Sequence, residues 1–416
     1  MGLGVLLNTA RVYGCEAAAP AVSDGMQMKT HNEVVDRLNK PLTIVDSTLG
    51  EGEKAAGAVF SNIEKYRIAQ SLADAGVSQI IVGSPSLGSE DKTAVRHIAR
   101  MGLDASIMSL NRTEISDIDA SIDCDVDSVQ ITVPSTMLQL QALYGKDIEW
   151  ALDKVYETVA YAVEHGLYVS LIAEDASRAD LSDIIEFAKT AKSCHADRFG
   201  YSDSIGVEDP FTCNDRIDMI RKISGIDIGI VARNDFGMAT ANTIAAVKAG
   251  AKFASVTSMG IGQRAGCAPL EEVALAAKQM LGIDTGIDLT KLRTIAESVS
   301  SASGIAIWPT KPVIGSKCYA QEAGFIGNYA VTEPYDPAIV GMERQNIIGK
   351  HSARNTVAET LKSMNVDIGI DDAENLLRLV RRAATQMHRS LTPSELYLLY
   401  EDMMSGIDTF DIESEQ

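Results

Sequence analysis

Six short polar segments each follow an apolar, β-branched run, and their residue types suit proton transfer and anion binding. They are Asp46-Ser47-Thr48, Gly83-Ser84-Pro85, Glu174-Asp175, Ser202-Asp203-Ser204, Arg233-Asn234-Asp235 and Ser258-Met259-Gly260. Carboxylates such as Asp46 and Glu174 serve as general acids or bases once their environment tunes them. The guanidinium of Arg233 is a fixed cation with a fork of donors for a carboxylate or oxyanion. The stretch Gly260–Gly266 could bring backbone N–H groups close to a pantetheine or phosphate, a weak signal when taken alone. Metal chemistry is poorly supplied. The histidines are His31, His97, His165, His195, His351 and His388, and no two are spaced as a metal-binding pair. A single carboxylate binds a divalent ion weakly.

Something must hold these segments on one face. The apolar runs Leu42–Val45, Gln79–Val82, Ala105–Ser109, Ser128–Val133, Tyr168–Ala173, Arg198–Tyr201, Ile228–Ala232 and Phe253–Thr257 have strand length. Amphipathic stretches such as 63–75, 148–165, 181–192 and 239–249 lie between them and have helical spacing. Alternating strands and helices imply a parallel sheet, and eight such units close into an α/β (β/α)8 TIM barrel of roughly 250 residues. The polar segments then fall at the C-terminal strand ends, where barrel active sites are built.

The 416 residues exceed one barrel. Residues 1–38 read as an N-terminal extension with no signal-peptide pattern, residues 39–286 as the barrel, and residues 287–416 as an arm followed by helices. The arm, 304–346, is irregular and rich in Gly, Pro and aromatics, and helices are expected at 289–303, 353–364, 370–387 and 392–403. A long ordered arm usually docks on something, which suggests a homodimer. The net charge of −20 argues against nucleic acid and anionic membrane as partners. It is also compatible with plain solubility. The cysteines Cys15, Cys124, Cys194, Cys213, Cys267 and Cys318 are scattered, which fits a reducing, cytoplasmic setting. No apolar run is long enough for a transmembrane helix.

The segment Asp46-Ser47-Thr48-Leu49-Gly50-Glu51-Gly52-Glu53-Lys54 resembles the D-[ST]-T-L-R-[DE]-G-E-Q signature of the 2-isopropylmalate, homocitrate and citramalate synthases. Glu174-Asp175-Ala176-Ser177-Arg178, Asp203-Ser204-Ile205-Gly206, Asn234-Asp235-Phe236-Gly237 and Gly260-Ile261-Gly262-Gln263-Arg264-Ala265-Gly266 follow that family's pattern in order. Lys311-Pro312-Val313-Ile314-Gly315, Tyr335-Asp336-Pro337 and Gly349-Lys350-His351-Ser352 extend the likeness to about residue 355. The length is similar to that of the homocitrate synthase branch. This resemblance implies a barrel enzyme that condenses acetyl-CoA with a 2-oxo acid. It also implies a divalent metal, held by the acid after the signature arginine and by both histidines of an H-x-H.

The sequence departs from the pattern at the centre of that chemistry. Glu51 keeps the acidic ligand position, but the two histidine positions are Val231 and Arg233, and the signature arginine is Gly50. Met259 and Gln263 replace the family's Asn and Glu beside the Gly-rich loop. In the arm, Gln321 and Ile326 replace two histidines. No catalytic metal or tightly bound cofactor is therefore expected.

Arg233, projecting towards Glu51, would take over the metal's positive charge, with Lys54 as a second cation and Glu174 or Asp46 handling the proton. Alternatively, Arg233 forms a buried ion pair with Glu51 or Asp46. For substrate contacts the resemblance points to Ser204, Asn234, Arg264, Gly260 and Gly262. Ser204 would bind the acceptor's carboxylate or simply cap the next helix. The expected activity is a metal-independent Claisen-type condensation of acyl-CoA with a 2-oxo acid. The alternatives are an aldolase or lyase using Lys54 as a Schiff-base amine, and a non-catalytic metabolite- or partner-binding homologue.

Overall fold

A computed structural model of the chain describes residues 28–322 and 332–406. Most of the N-terminal extension and the 323–326 part of the arm motif lie outside the described residues. The chain divides after Ala268 into two compact units, whereas the sequence reading places its change at residue 286.

The eight expected strands all form. They are β1 (Thr43–Asp46), β2 (Gln79–Ile81), β3 (Ser106–Arg112), β4 (Ser128–Pro134), β5 (Tyr168–Glu174), β6 (Arg198–Asp203), β7 (Asp227–Ala232) and β8 (Phe253–Val256). Every neighbouring pair is parallel, and β8 returns to β1 to close the barrel. β1 and β6 are buried along their whole length, as a parallel strand covered on both faces requires. Several strands run one to three residues further than their β-branched cores suggest. In β3, β5 and β6 the extra residues include Leu110, Asn111, Arg112, Glu174 and Ser202, which line the barrel mouth.

Side chains mark the helix starts. Ser61 accepts from the Glu64 N–H, and Glu64 reaches back to the cap, which fixes the start of Asn62–Asp74. Asp147 caps Ile148–Glu164 through the Trp150 N–H. His31–Leu38 begins on Thr30 and contributes Val34 and Leu38 to a cluster with Val45, Ile81, Met108, Tyr168 and Phe253. No described helix is long and apolar enough to cross a membrane.

The second unit holds helices Leu270–Leu281, Leu292–Ser303, Arg354–Ser363, Ile370–Met387 and Pro393–Met404. Its last three pack around Val357, Leu361, Leu376, Val380 and Leu396. The arm is irregular, as expected, apart from a two-residue parallel pairing of 320–321 with 345–346. Glu322 turns back to accept the His351 N–H at 2.8 Å.

Candidate active site

A cavity of about 650 Å³ opens at the C-terminal ends of the strands. The pleat explains which residues reach it. Along β4 to β7 and just beyond, residues two apart face inward together: Gln130 and Thr132, Ile172 and Glu174, Ser202 and Ser204, Val231 and Arg233. The loop after β1 adds Ser47, Gly50, Glu51 and Lys54. From β2, β3 and β8 come Ile81, Leu110 and Ser255. Of the residues proposed for substrate and catalysis, Arg233, Glu174, Glu51, Lys54 and Ser204 line this cavity.

Its charged centre is a three-membered chain. Arg233, 8% exposed just past the end of β7, donates from Nη2 to Glu51 Oε2 and from Nη1 to the Cys267 sulfur at 3.1 Å. Lys54 Nζ lies 2.6 Å from the other oxygen of Glu51. Burial alone would raise the Glu51 carboxyl, but Lys54 and Arg233 outweigh it and hold the group below its ordinary value. Glu51 is therefore an anion gripped by two cations. Burial pushes the Cys267 thiol up, so it packs as a neutral group and not as a nucleophile.

Glu174 is the contrasting carboxylate. It ends β5, is half-buried, and among the described residues no hydrogen bond to its side-chain oxygens is formed. Burial raises its carboxyl above the ordinary value; Glu51 and Asp175 add to this, while Lys54 and Arg233 oppose it. Two neighbouring carboxylates are thus driven in opposite directions, a pattern that separates an acid–base group from a fixed charge. Asp175 is committed elsewhere. It is fully buried at φ 62° and holds Arg178 through both oxygens. Its N–H donates to Ser204 Oγ at 2.8 Å, and Ser204 Oγ lies 3.1 Å from Ser202 Oγ. Ser204 is thereby fixed with its hydroxyl beside a second one.

The other expected site residues do not line the cavity. Asp46 is fully buried and accepts from the Thr48 N–H at 2.8 Å, so its carboxylate shapes the turn after β1 and is not placed for substrate proton transfer. Asn234 Oδ1 accepts from the Ala239 N–H at 3.2 Å, at the start of helix Ala239–Lys248. Arg264 is exposed and binds both oxygens of Asp235 and the Ser204 carbonyl, tying the loops after β6, β7 and β8 together. Gly260 and Gly262 serve close packing. The Gly260 carbonyl passes so near Gly266 that an added Cβ there would lie 1.9 Å from it. A Cβ on Gly262 would meet Cys267 Sγ at 2.9 Å and Arg233 Nη1 at 3.4 Å. Glycine at 262 therefore makes room for the guanidinium. The N–H groups of Gly260, Ile261, Gly266 and Cys267 are bonded within the loop itself, so they are not free for a phosphate.

The donor set does not fit a divalent ion. Of the three positions that the resemblance assigns to a metal, Val231 has no donor atom, Arg233 is a cation, and Glu51 already carries two ion pairs. Among the described residues no group of three or more His, Cys, Asp or Glu is arranged to hold a metal. At Gly50 an added Cβ would lie 2.9 Å from Ile81 and 3.1 Å from Leu110. Apolar side chains thus crowd the place where the signature arginine would start.

The cavity also contains residues that the motifs did not mark: Leu110, Gln130, Thr132 and Ser255, together with Arg112 paired to Asp117. Counting two residues back along the strand from Glu174 or Arg233 reaches Ile172 and Val231, but β3, β4 and β8 carry no recognised site residue to count from.

Residues 41–299 match the family model described as HMGL-like. The chain is 43% identical over 371 residues to "2-isopropylmalate synthase 2" of Caldanaerobacter subterraneus subsp. tengcongensis, covering 88% of this chain and 97% of that protein. It is 37% identical over 370 residues to "Homocitrate synthase 1" of Nostoc sp., covering 88% of this chain and 98% of that one. Among solved structures, the HMG-CoA lyase of Bacillus subtilis superposes with a TM-score of 0.59 at 15% identity, over 64% of this chain and 94% of that chain. At that identity the superposition bears on the fold alone.

Proposed function

The chain belongs to the HMGL-like family, and from that premise we propose that it is an acyltransferase of the 2-isopropylmalate and homocitrate synthase type. In this reading it condenses acetyl-CoA with a 2-oxo acid without a metal. The observation that carries it is the pairing of a restrained anion with a perturbed base: Glu51 fixed by Arg233 and Lys54, and Glu174 raised and unbonded in the same cavity.

Glu174 takes a methyl proton from the thioester, breaking a C–H bond and leaving an enolate. The enolate carbon attacks the keto carbon of the acceptor, and the carbonyl electron pair moves onto oxygen as an alkoxide. Arg233 uses two of its five N–H groups on Glu51 and Cys267, so others remain to stabilise that alkoxide as charge develops. Ser202 and Ser204 offer hydroxyls to the acceptor's carboxylate. The alkoxide takes up the proton, and water then hydrolyses the thioester to release free CoA.

The proposal includes a reducing, cytoplasmic setting, which Cys124, Cys194, Cys213, Cys267 and Cys318, all free thiols, support. It also includes a homodimer formed through the arm, where Trp308 is 72% exposed and of the kind that interfaces bury.

The test is CoA release by the purified protein with acetyl-CoA and a broad set of 2-oxo acids. The expected product is the acceptor plus the elements of acetic acid, identified by mass. If no acceptor elicits CoA release and calorimetry shows no thioester binding, the proposal fails.

A further inference from the structure

A second cation lies inside the barrel, at the end opposite the cavity. Arg198 opens β6 and faces inward by the same pleat that brings Ser202 to the cavity. It is 3% exposed. Its Nε donates to Ser170 Oγ at 2.9 Å and its Nη2 to the Met108 sulfur at 3.6 Å. Its Nη1 is buried and has no hydrogen-bond partner among the described residues. The guanidinium lies over the Phe253 ring, 4.4 Å from its centroid, and 5.5 Å from that of Tyr168.

The carboxylates at this end of the barrel are engaged elsewhere. Asp197 contacts His31 Nε2 at 2.7 Å and accepts the Val169 N–H at 2.8 Å. Asp127 accepts from Ser106 Oγ and the Ile107 N–H and pairs with Lys29 at 3.6 Å. Asp227 pairs with Lys252 at 2.9 Å. Burial disfavours the Arg198 charge, and Tyr168 and Asp197 offset this only in part. A guanidinium does not give up its proton in a protein, so a fixed charge is left in the interior, where an unpaired ion is costly. Water would satisfy Nη1 without balancing that charge, whereas an anion does both.

The surroundings set the size of such an anion. Gly200 and Gly229 pair side by side, one inward-facing level above Arg198. A Cβ built on Gly229 meets nothing closer than 3.4 Å, and the atom it meets is Phe253 Cβ. Space for a small group therefore adjoins the residue whose ring Arg198 overlies. Val34 and Leu38 of helix His31–Leu38 pack with Tyr168 and Phe253 over this end. An occupant must be compact, must shed its water, and must carry one charge to match one cation.

We propose that the barrel interior beside Arg198 binds a single monovalent anion of the halide class, held by Arg198 Nη1 and the Ser170 hydroxyl. Ser170 Oγ accepts from Arg198 Nε and so keeps its own proton to donate. Larger halides fit this dry, aromatic setting better than fluoride, which holds its water more tightly.

The test melts the full-length wild type and Arg198→Met across a sodium bromide series, with sodium fluoride keeping the ionic strength constant. As bromide replaces fluoride, the wild-type melting temperature is expected to gain about 2–4 °C relative to that of the variant and then level off. Wild-type crystals grown in bromide give a second readout that needs no variant to fold. An anomalous peak is expected at hydrogen-bonding distance from Arg198 Nη1. The absence of that peak overturns the inference, as does a bromide response that a folded Arg198→Met protein retains in full. Neither readout depends on turnover, so the outcome is independent of the condensation proposed above.

Discussion

Arg233→Met is expected to lower kcat/KM for CoA release by a factor of about 10²–10³, the usual consequence of losing one preorganised donor to a developing oxyanion. It is also expected to destabilise the fold, because Glu51 loses one of its two cations while remaining largely buried. Removing one partner of a buried pair typically costs about 3–5 kcal/mol, and Lys54, whose side chain is 51% exposed, offsets only part of that. The two effects are separable. The double variant Arg233→Met/Glu51→Gln removes both charges and should recover most of the melting temperature. It should recover none of the turnover, because the positive charge remains missing from the cavity. Arg233→Lys should fall between, since an ammonium keeps the charge but loses the planar fork that reaches Glu51 and Cys267 together. Thermal melts and steady-state kinetics on the three variants decide the matter. If the double variant is both stable and fully active, the ion pair merely holds the barrel mouth together, the alternative that the sequence already offered.

Glu174→Gln is expected to reduce turnover by about 10²–10⁴-fold, the range associated with loss of a positioned general base. Its pH behaviour identifies the role. The folded-state carboxyl lies above the ordinary glutamate value of 4.5, because of burial first and then the Glu51 and Asp175 charges. The base form is therefore lost as pH falls through that raised value. The acid limb of the kcat/KM profile should lie at higher pH than an ordinary glutamate would give, and the residual activity of Glu174→Gln should lack this limb. Stability should move in the opposite direction. Between the ordinary and raised values the folded state binds more protons than the unfolded state, so the native group costs stability as pH rises. The neutral glutamine does not ionise, and the variant should melt higher than the wild type at neutral pH. A gain in stability with a loss in rate is the pattern of a strained functional group. Loss of rate and stability together would assign Glu174 a structural role.

The barrel was legible because most strands are short, largely buried runs and the stretches between them have helical spacing. The strand ends were less so. β3, β5 and β6 continue into polar residues that propensity assigns to loops but that the barrel holds in register. The site was legible wherever a substitution broke a motif, and Arg233, Glu51 and Lys54 meet as their positions implied. Motif membership alone was a poor guide to direction. Asp46, Asn234 and Arg264 belong to the signature segments yet spend their polar atoms on turns, a helix start and loop ties. A sequence names a residue type but not which way the backbone turns it. Gln130, Thr132 and Ser255 were missed for the complementary reason: they are neutral, sit inside strands, and carry no chemical signal of their own.

The unit boundary shows another limit. Helix Leu270–Leu281 follows β8 in sequence and reads as the barrel's last helix, yet it falls within the second compact unit. Period and propensity identify a helix without saying which unit it belongs to.

In the proposed reaction the Arg233 guanidinium performs the electrostatic work that the resemblance assigns to a divalent ion. The most direct measurement is CoA release with acetyl-CoA and a 2-oxo acid after exhaustive chelation, with metal content determined on the same sample. Turnover is expected to be unchanged by chelation and by added magnesium, manganese or zinc, with metal far below one equivalent per chain. Loss of turnover on chelation, restored by a stoichiometric divalent ion, would contradict it.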